Sequence, residues 1–427
     1  MIENQVQIPE GWIEITQLGN LSKVYNGLSG KKKDDFGTGE PYIPYVNVFK
    51  NSKVDIAEVD YVKVKVGERQ NAVEYGDIIF TTSSETIEEV GMTSVFLEKT
   101  GRYYLNSFCF ILRLNKNNWL VPQFSQYLFR SENIRYSISL LGQGSTRYNL
   151  SKTRLLKELE FLIPSDTSEQ TQIATILSKV DEAIAQTEQL IAKYNRIKTG
   201  LMQELLTKGI LQQTDLTKSD LKGIEINTQF RQCKLENITK VRQGFQIAIS
   251  KRKKDEGVNR YIYITVQYLN NPKKYLEFIE NPPENVICTE EEILFTRTGN
   301  TGQIISGIKG VFHNNFFKVS FDAKEISREY LILYLNWEPV QVLIKELAGT
   351  TTIPDMKHKD FYEMPIFFPT TLEEQKRITD IILSSNETIL SFQKQLSKLQ
   401  SLKTGLMQDL LSGKVRVNHL IKENANA

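Results

Sequence analysis

The stretch KTGLMQELL at residues 198–206 recurs as KTGLMQDLL at residues 403–411. Eight of the nine positions are identical, and the ninth exchanges a glutamate for an aspartate. The same offset of 205 residues aligns Pro164 with Pro369. Because the two copies stay in register over about residues 144–206 of the first, the chain contains a long internal repeat.

Upstream of that region the two copies match only in short pieces, at offsets that change along the chain. Residues 77–81 correspond to residues 292–296 at an offset of 215, and residues 106–108 correspond to residues 314–316 at an offset of 208. Each copy therefore has a variable first part and a strongly shared second part. Two copies of this length predict a pseudo-two-fold molecule, which has the geometry of a dimer within one chain.

The shared part of each copy predicts one long helix, because apolar residues recur at alternating spacings of four and three. This spacing is typical of a coiled-coil seam, and the helix of the other copy is the expected partner. A single amphipathic helix packed on its own domain is the alternative. The predicted packing residues are Ile173, Leu177, Ile184, Ile191, Gly200 and Leu201 in the first helix, and Ile378, Ile382, Ile389, Phe392, Leu396, Gly405 and Leu406 in the second.

Glycine stands in the middle of both predicted helices, at Gly200 and Gly405. Glycine costs about 1 kcal/mol relative to alanine in a helix, so its repetition predicts close approach of the two backbones. A harmless surface glycine is the alternative. The patterns that begin at Thr167 (Thr-x-x-Gln) and Thr371 (Thr-x-x-Glu) predict capping boxes at the helix starts, and a glycine predicts each helix end.

The variable parts are rich in short β-branched and aromatic runs, which turn residues separate. They predict two similar α+β domains, and the polar residues between the first helix and the second domain predict a linker. The predicted organisation is a first domain at residues 1–163, a helix at 164–211, a linker at 212–229, a second domain at 230–368, and a second helix with a tail at 369–427.

Composition excludes several classes of protein. With 53 Lys+Arg against 51 Asp+Glu, the net charge of +2 excludes a histone-like polybasic protein, although local basic patches remain compatible with it. Three cysteines and three histidines lie far apart, which argues against a disulfide framework and against a metal site. We expect a cytoplasmic protein without a membrane-spanning helix.

Catalytic motifs are missing from the sequence. There is no P-loop and no zinc-binding pattern. Asn281-Pro282-Pro283-Glu284 differs from the Asn/Asp-Pro-Pro-aromatic motif of adenine methyltransferases, because Glu284 stands where the aromatic residue belongs. A proline turn is sufficient to explain this segment.

Polar clusters occupy matching places in the two copies: basic runs after Gly27 and Gly244, hydroxyl-rich segments after matching strands, and glycine-containing turns. Hydroxyl, amide and backbone N–H groups hold phosphates, and Arg, Asn and Gln read base edges. These segments are therefore candidate DNA contacts, although any one of them alone could be a solvated loop. The candidates are Lys31, Lys32, Lys33, Thr81, Thr82, Ser83, Ser84, Gly144, Ser145, Thr146 and Arg147 in the first copy, and Arg242, Gln243, Lys251, Arg252, Lys253, Lys254, Arg297, Thr298, Asn300, Thr350 and Thr351 in the second.

Pro164, Glu169-Gln170 and the helix that ends in residues 198–203 resemble a region shared by type I restriction-modification specificity subunits. Pro369, Glu374-Gln375 and residues 403–408 resemble it a second time. The resemblance implies that each domain binds one half of a split sequence in double-stranded DNA. It also implies that the two helices pair antiparallel and set the spacing between the halves.

The same resemblance implies partners and cofactors. Two methyltransferase subunits would dock on this chain, and restriction subunits would complete the complex. S-adenosylmethionine, ATP and magnesium would belong to those partners, so this chain would hold no cofactor or metal and no catalytic residue. The alternatives are the specificity subunit of a type IIB-like restriction–methylation enzyme, a coiled-coil scaffold that binds only proteins, and an unrecognised nuclease.

Overall fold

The computed structural model describes residues 8–115, 119–212, 214–349 and 354–424. It divides into two compact units, each made from two separate stretches of chain. The first unit comprises the residues up to Glu188 and those from Lys394 onward, and the second comprises Gln189–Gln393. Both divisions fall within long helices of 42 and 40 residues, so each unit contains one part of each helix.

The first unit combines short strands with mostly short helices. Its strands are β1 (Trp12–Ile15), β2 (Ser22–Asn26), β3 (Phe36–Ile43), β4 (Asp60–Val62), β5 (Ile78–Thr81), β6 (Ser83–Ser84), β7 (Thr93–Val95), β8 (Tyr104–Leu105), β9 (Cys109–Leu114), β10 (Gly142–Gln143), β11 (Tyr148–Leu150) and β12 (Phe161–Pro164). Its helices are α1 (Leu18–Leu21), α2 (Tyr45–Lys50), α3 (Pro122–Leu128), α4 (Glu132–Ser139), α5 (Lys152–Glu158) and the first part of α6 (Thr167–Lys208).

The second unit has a corresponding set of elements. Its strands are β13 (Leu216–Lys218), β14 (Glu225–Asn227), β15 (Arg231–Lys234), β16 (Thr239–Gln243), β17 (Arg260–Ile264), β18 (Phe278–Glu280), β19 (Ile287–Cys288), β20 (Ile293–Thr296), β21 (Ile304–Ile305), β22 (Gly310–Phe312), β23 (Phe316–Phe321) and β24 (Pro365–Phe368). Its helices are α7 (Val266–Asn270), α8 (Arg328–Leu335), α9 (Glu338–Ala348), α10 (His358–Glu363) and the first part of α11 (Leu372–Leu411). Helix α12 (Asn418–Asn424) returns to the first unit.

The two units repeat one sheet topology. An antiparallel sheet of order β2-β9-β5-β7 in the first unit matches β16-β23-β20-β21 in the second. A second sheet, β4-β3-β8, matches β18-β17-β22, and each contains one parallel pair. The strand before each long helix, β12 or β24, pairs with the first strand of its domain, β1 or β15. The prediction of two similar α+β domains is therefore confirmed.

Each domain core includes parts of both long helices. Ile173 and Leu177 of α6 are fully buried in the first core, together with Leu410 of α11. Ile378 of α11 is buried in the second core, together with Leu206 of α6. Thus the start of each helix packs on its own domain and on the other helix. The two alternatives predicted from the seam, a coiled coil and a helix packed on its own domain, are both present there.

The helices run antiparallel within each unit. In the first unit Asp181 of α6 forms an ion pair with Lys403 of α11 at 2.6 Å. Further back along α6, Glu169 pairs with Arg416, which lies further forward along the chain. In the second unit the rings of Tyr194 and Phe392 lie 5.4 Å apart. The predicted antiparallel coiled coil is confirmed. Six of the predicted packing residues are half-buried, namely Ile184, Ile191, Leu201, Phe392, Leu396 and Leu406.

The mid-helix glycines do not mark a close contact. Gly200 and Gly405 are exposed, and a Cβ added to either would meet nothing within 4 Å. The prediction of close backbone approach is therefore wrong, because both residues lie on the face of their helix that points away from its partner. The seam itself is closed by larger side chains, such as Ile389, which is 6% exposed.

The predicted capping boxes are only partly formed. Helix α11 has the expected cap, since the N–H of Glu374 donates to Thr371 Oγ1 at 3.4 Å. In α6 the cap is Asp166, whose Oδ1 accepts from the N–H of Ser168 at 2.8 Å, so Thr167 already lies within the helix. Gln170 and Glu374, which were expected to complete the boxes, instead form hydrogen bonds with backbone groups outside their own helix ends.

Gln170 and Gln375 are fully buried at equivalent places near the two helix starts. Gln170 Oε1 accepts from the N–H of Val121 at 2.8 Å, and its Nε2 donates to the carbonyl oxygens of Trp119 and Pro164, both at 2.9 Å. Gln375 makes the same three bonds with Ser327 (2.7 Å), Glu325 (2.9 Å) and Pro369 (2.9 Å). Each glutamine therefore joins a helix start to the domain that precedes it.

The predicted linker is a folded segment over residues 214–229. Strands β13 and β14 pair as an antiparallel hairpin. Leu221 and Ile226 of this hairpin are buried in the second core, at 4% and 1% exposure. The linker prediction is corrected here, because two buried side chains in a polar segment are enough to hold a hairpin against an existing core.

Candidate nucleic-acid interface

The central sheets define which residues of the two domains correspond. Thr81 at the end of β5 pairs with Cys109, and Thr296 at the end of β20 pairs with Phe316. Cys109 and Phe316 are 207 residues apart, so the alignment of this region at an offset of 208 is wrong by one position. The strand register gives the correct alignment, because backbone hydrogen bonds define which residues pair, whereas a match of three residues in sequence does not.

Gly27 and Gly244 permit the same close backbone crossing in both domains. A Cβ on Gly27 would lie 2.1 Å from the carbonyl oxygen of Asn106, and one on Gly244 would lie 2.2 Å from that of Phe312. No larger residue fits at such a distance. The loops that carry the basic runs therefore leave the central sheet at equivalent points.

The hydroxyl-rich segment of the first domain is mostly buried. Thr81, Ser83 and Ser84 are 0%, 5% and 6% exposed, so the prediction that they contact DNA is corrected. Thr82 is half-buried, and its Oγ1 donates to the carbonyl oxygen of Phe108 at 2.8 Å. Sequence pattern suggested a loop here, whereas Ser83 and Ser84 form β6 and pair with β11.

That pairing places the first glycine turn beside the hydroxyl-rich segment. Strands β10 and β11 form a hairpin, and its tip consists of residues 144–147. Gly144 has a φ of +128°, a conformation that favours glycine. Ser145, Thr146 and Arg147 are exposed at this tip, so they remain candidates for contacts with DNA.

The second domain brings the corresponding segments together. Arg297 donates to Asp355 Oδ2 at 2.8 Å, and Thr298 donates to Asp355 Oδ1 at 2.6 Å. Asn300 is exposed and lines an open cavity of about 560 Å³ together with Gly349. The predicted contacts Thr350 and Thr351 lie outside the described residues.

Carboxylates neutralise part of both basic runs. The ammonium group of Lys31 is 2.5 Å from Glu68, and its side chain is only 6% exposed. Hydrogen bonds from Lys31 and Gln70 lower the pKa of Glu68 to about 2. Lys31 is therefore corrected from a DNA contact to a residue that joins two loops of its own domain.

The second run is neutralised by one acid. Arg252 and Lys254 both bind Glu277, at 3.0 and 2.8 Å, and Arg252 also lies 5.0 Å from the ring centre of Tyr263. Although burial opposes it, hydrogen bonding to Lys254 and Arg252 lowers the pKa of Glu277. Arg252 is thus a structural residue, whereas Lys254 still exposes 70% of its side chain.

Several predicted residues keep accessible polar groups. Lys32 and Lys33 are exposed in the first domain, and Arg242 and Lys251 are exposed in the second. Two other predicted contacts, Gln243 and Lys253, are half-buried. The side-chain amide of Gln243 donates to the carbonyl oxygen of Asn314 at 3.1 Å.

Sequence reasoning missed one pair of residues beside these segments. Lys152 begins α5, and His358 begins α10. Lys152 Nζ lies 4.9 Å from the ring centre of Phe110, and the His358 ring lies 4.4 Å from that of Phe317. The repeat could not indicate this pair, because the offset of 205 aligns Lys152 with Lys357, whereas the backbone hydrogen bonds of Leu150 and Met356 place the correspondence at an offset of 206.

Over the ranges that the structure describes, no three His, Cys, Asp or Glu side chains are grouped so that they could hold a metal ion. None of the helices in those ranges is long and apolar enough to cross a membrane.

A family model for the type I restriction modification DNA specificity domain matches residues 9–196 and again residues 229–401. The chain belongs to this family. The two matches coincide with the two copies of the repeat, and together they cover most of the sequence. The predictions of a DNA sequence-specificity subunit, and of a chain that is not itself the enzyme, are therefore confirmed.

Full-length relatives support the family assignment. The chain is 26% identical to the MjaX specificity subunit of Methanocaldococcus jannaschii, named as a type I restriction enzyme subunit, over 96% of this chain and 95% of that one. It is 24% identical to the type I restriction enzyme MjaVIII specificity subunit of the same organism, over 97% and 95% of the two chains.

Solved structures of specificity subunits share the fold. The S subunit of the type I system from M. genitalium matches with a TM-score of 0.55 and 16% identity, over 96% of this chain and 98% of that one. A chain from a study of complex assembly and conformational transition of the type I system matches with a TM-score of 0.58 and 16% identity, over 96% and 100%.

Proposed function

We propose that this specificity subunit recognises a bipartite sequence in double-stranded DNA and that each domain binds one half of it. One observation carries the proposal. Both domains contain, on the same sheet topology, a glycine at which two backbone segments cross closely, a polar segment at the end of a central strand, and a second segment paired beside it. A protein that recognises one continuous sequence has no need for two such sites.

Within each half-site, one kind of contact supplies affinity and another supplies sequence specificity. Exposed lysines and backbone groups bind phosphates and supply affinity that depends on salt. Exposed residues with amide or guanidinium groups, such as Arg147, Arg242 and Asn300, supply the choice of bases. The antiparallel helix pair acts as a spacer, because half-site separation follows protein geometry.

The partners and cofactors follow from this role. Two methyltransferase subunits and the restriction subunits assemble on this chain in the cytoplasm. S-adenosylmethionine, ATP and magnesium bind to those subunits, and the methyltransferases flip the target adenine.

Selection of duplexes from a random-sequence library by the full-length chain tests the bipartite target. We expect enriched duplexes with two short motifs at a constant separation. Exchange of residues 12–163 for those of another family member should then alter one motif only. A single continuous motif, or a change in both motifs after the exchange, would contradict the proposal.

A further inference from the structure

Lys152 and His358 occupy one position of the repeated fold. Leu150 donates its backbone N–H to the carbonyl oxygen of Thr82 at 2.8 Å, and Met356 donates to that of Arg297 at 2.8 Å. Two residues after these matched hydrogen bonds, each chain segment begins a short helix, with Lys152 in one domain and His358 in the other. The correspondence therefore rests on backbone pairing, without reference to residue type.

The surroundings of the two side chains also correspond. Phe110 and Phe317, on which they lie, occupy equivalent positions of β9 and β23. The cross-strand neighbours of these rings are Asn26 on β2 and Gln243 on β16, which are uncharged. Each domain thus places a basic side chain over an aromatic ring, beside an uncharged polar side chain.

Lys152 differs in its polar partner from Lys31 and Lys254 of the basic runs. Lys31 and Lys254 bind carboxylates, whereas Lys152 Nζ donates to the neutral Asn26 Oδ1 at 2.5 Å. Burial lowers the pKa of Lys152, which means that its charged form lacks full compensation. An anion that approached this position would supply the missing charge.

His358 is exposed, and charged groups of both signs face it. Arg297 lies over the same Phe317 ring at 5.4 Å, and Asp355 binds Arg297. Its neighbours in the sequence are Lys357, which precedes the helix, and Lys359, which lies on it. Partial burial and Arg297 lower the pKa of His358, while Asp355 opposes them, so the surroundings in the free chain disfavour the imidazolium.

We propose that Lys152 and His358 are corresponding phosphate contacts, one in each domain, and that binding of the second half-site is consequently linked to protonation of His358. This inference rests on the proposed function, because it requires that both domains bind DNA. A phosphate favours the imidazolium, so DNA raises the pKa of His358 above its value in the free chain. The contact is therefore present at low pH and is lost as the pH rises, whereas lysine keeps its contact.

The test uses the full-length chain and the duplex that it enriches from the random library. Dissociation constants are measured against salt concentration at about pH 5.5 and about pH 8. The slope of log K against log[salt] should fall by about 0.9 for Lys152→Gln at both pH values, and by about 0.9 for His358→Gln at the lower pH only. Hydroxyl-radical footprints should weaken over a different half-site in each variant.

Reciprocal exchanges provide a second readout. His358→Lys should abolish the loss of affinity at high pH, and Lys152→His should add a proton-linked loss at the other half-site. The matched controls are Lys359→Gln and Lys157→Gln, which remove exposed lysines from the same two helices. Thermal unfolding of each variant shows that it has folded.

The outcomes separate the inference from the proposed function. If no duplex with two separated motifs is enriched, the proposed function fails and this inference fails with it. If such a duplex is enriched but His358→Gln and Lys152→Gln retain the wild-type salt slopes, the phosphate contacts alone are refuted. Equal slope changes in the control variants would also refute them, because only the overall charge would then matter.

Discussion

Arg416 donates to both carboxylate oxygens of Glu169, with each nitrogen–oxygen distance at 2.7 Å. Glu169 is 1% exposed and lies in the first turn of α6. Arg416 lies five residues beyond the end of α11, so the ion pair joins the C-terminal segment to the start of the first helix. The first unit is thereby closed by an ion pair between residues that are 247 positions apart in the sequence.

Replacement of Arg416 by alanine should destabilise the first unit by about 3 kcal/mol, because the buried carboxylate of Glu169 would lose its counter-charge. Urea denaturation of the full-length chain measures the change. Lys414→Ala is the matched control, since the Lys414–Asp409 pair is exposed and should contribute about 1 kcal/mol or less. Equal effects of the two substitutions would contradict the structural role of Arg416.

Gln170→Ala and Gln375→Ala should each lower stability by about 3 kcal/mol, since each substitution leaves three buried backbone groups without their partner. Hydrogen exchange should show where the loss occurs: near Val121 for Gln170→Ala and near Ser327 for Gln375→Ala. Gln186→Ala, at an exposed position of α6, is the control. Unaltered exchange at Val121 and Ser327 would mean that these bonds do not hold the domains to the helices.

Alanine substitutions at glycine should have opposite effects at two kinds of site. Gly27→Ala and Gly244→Ala should destabilise the chain, because the added Cβ would collide with a backbone carbonyl. Gly200→Ala and Gly405→Ala should stabilise it by up to about 1 kcal/mol each, because the space is open and alanine favours helix. Thermal unfolding of the four variants measures both effects, and destabilisation by Gly200→Ala would revive the idea of close helix contact.

Insertion of four residues after Asn195 should change the separation of the two half-sites and leave their sequences intact. Four helical residues add about 6 Å, which is close to two base pairs. Methylome sequencing of cells that carry the altered gene would read both quantities at once. An unchanged separation would contradict the spacer role of the helices.

Much of the architecture could be predicted because the repeat is long and periodic. The seam from Ile173 to Leu205 and its copy from Ile378 to Leu410 predicted two long helices, and both formed. The site was harder to predict, since Lys31, Thr81 and Arg252 look like free polar groups in the sequence. Burial and ion pairing of those side chains depend on distant residues such as Glu68 and Glu277.

The sequence by itself determined the duplication, the α+β class and the two helices, because each depends on local spacing and on similarity between segments. Only the tertiary structure decided that Gln170 binds a neighbouring loop, that residues 214–229 form a hairpin, and that Lys152 corresponds to His358. These features depend on contacts between residues far apart in sequence. Strand register and burial, which no local pattern encodes, therefore place the side chains that are candidates for contacts with DNA.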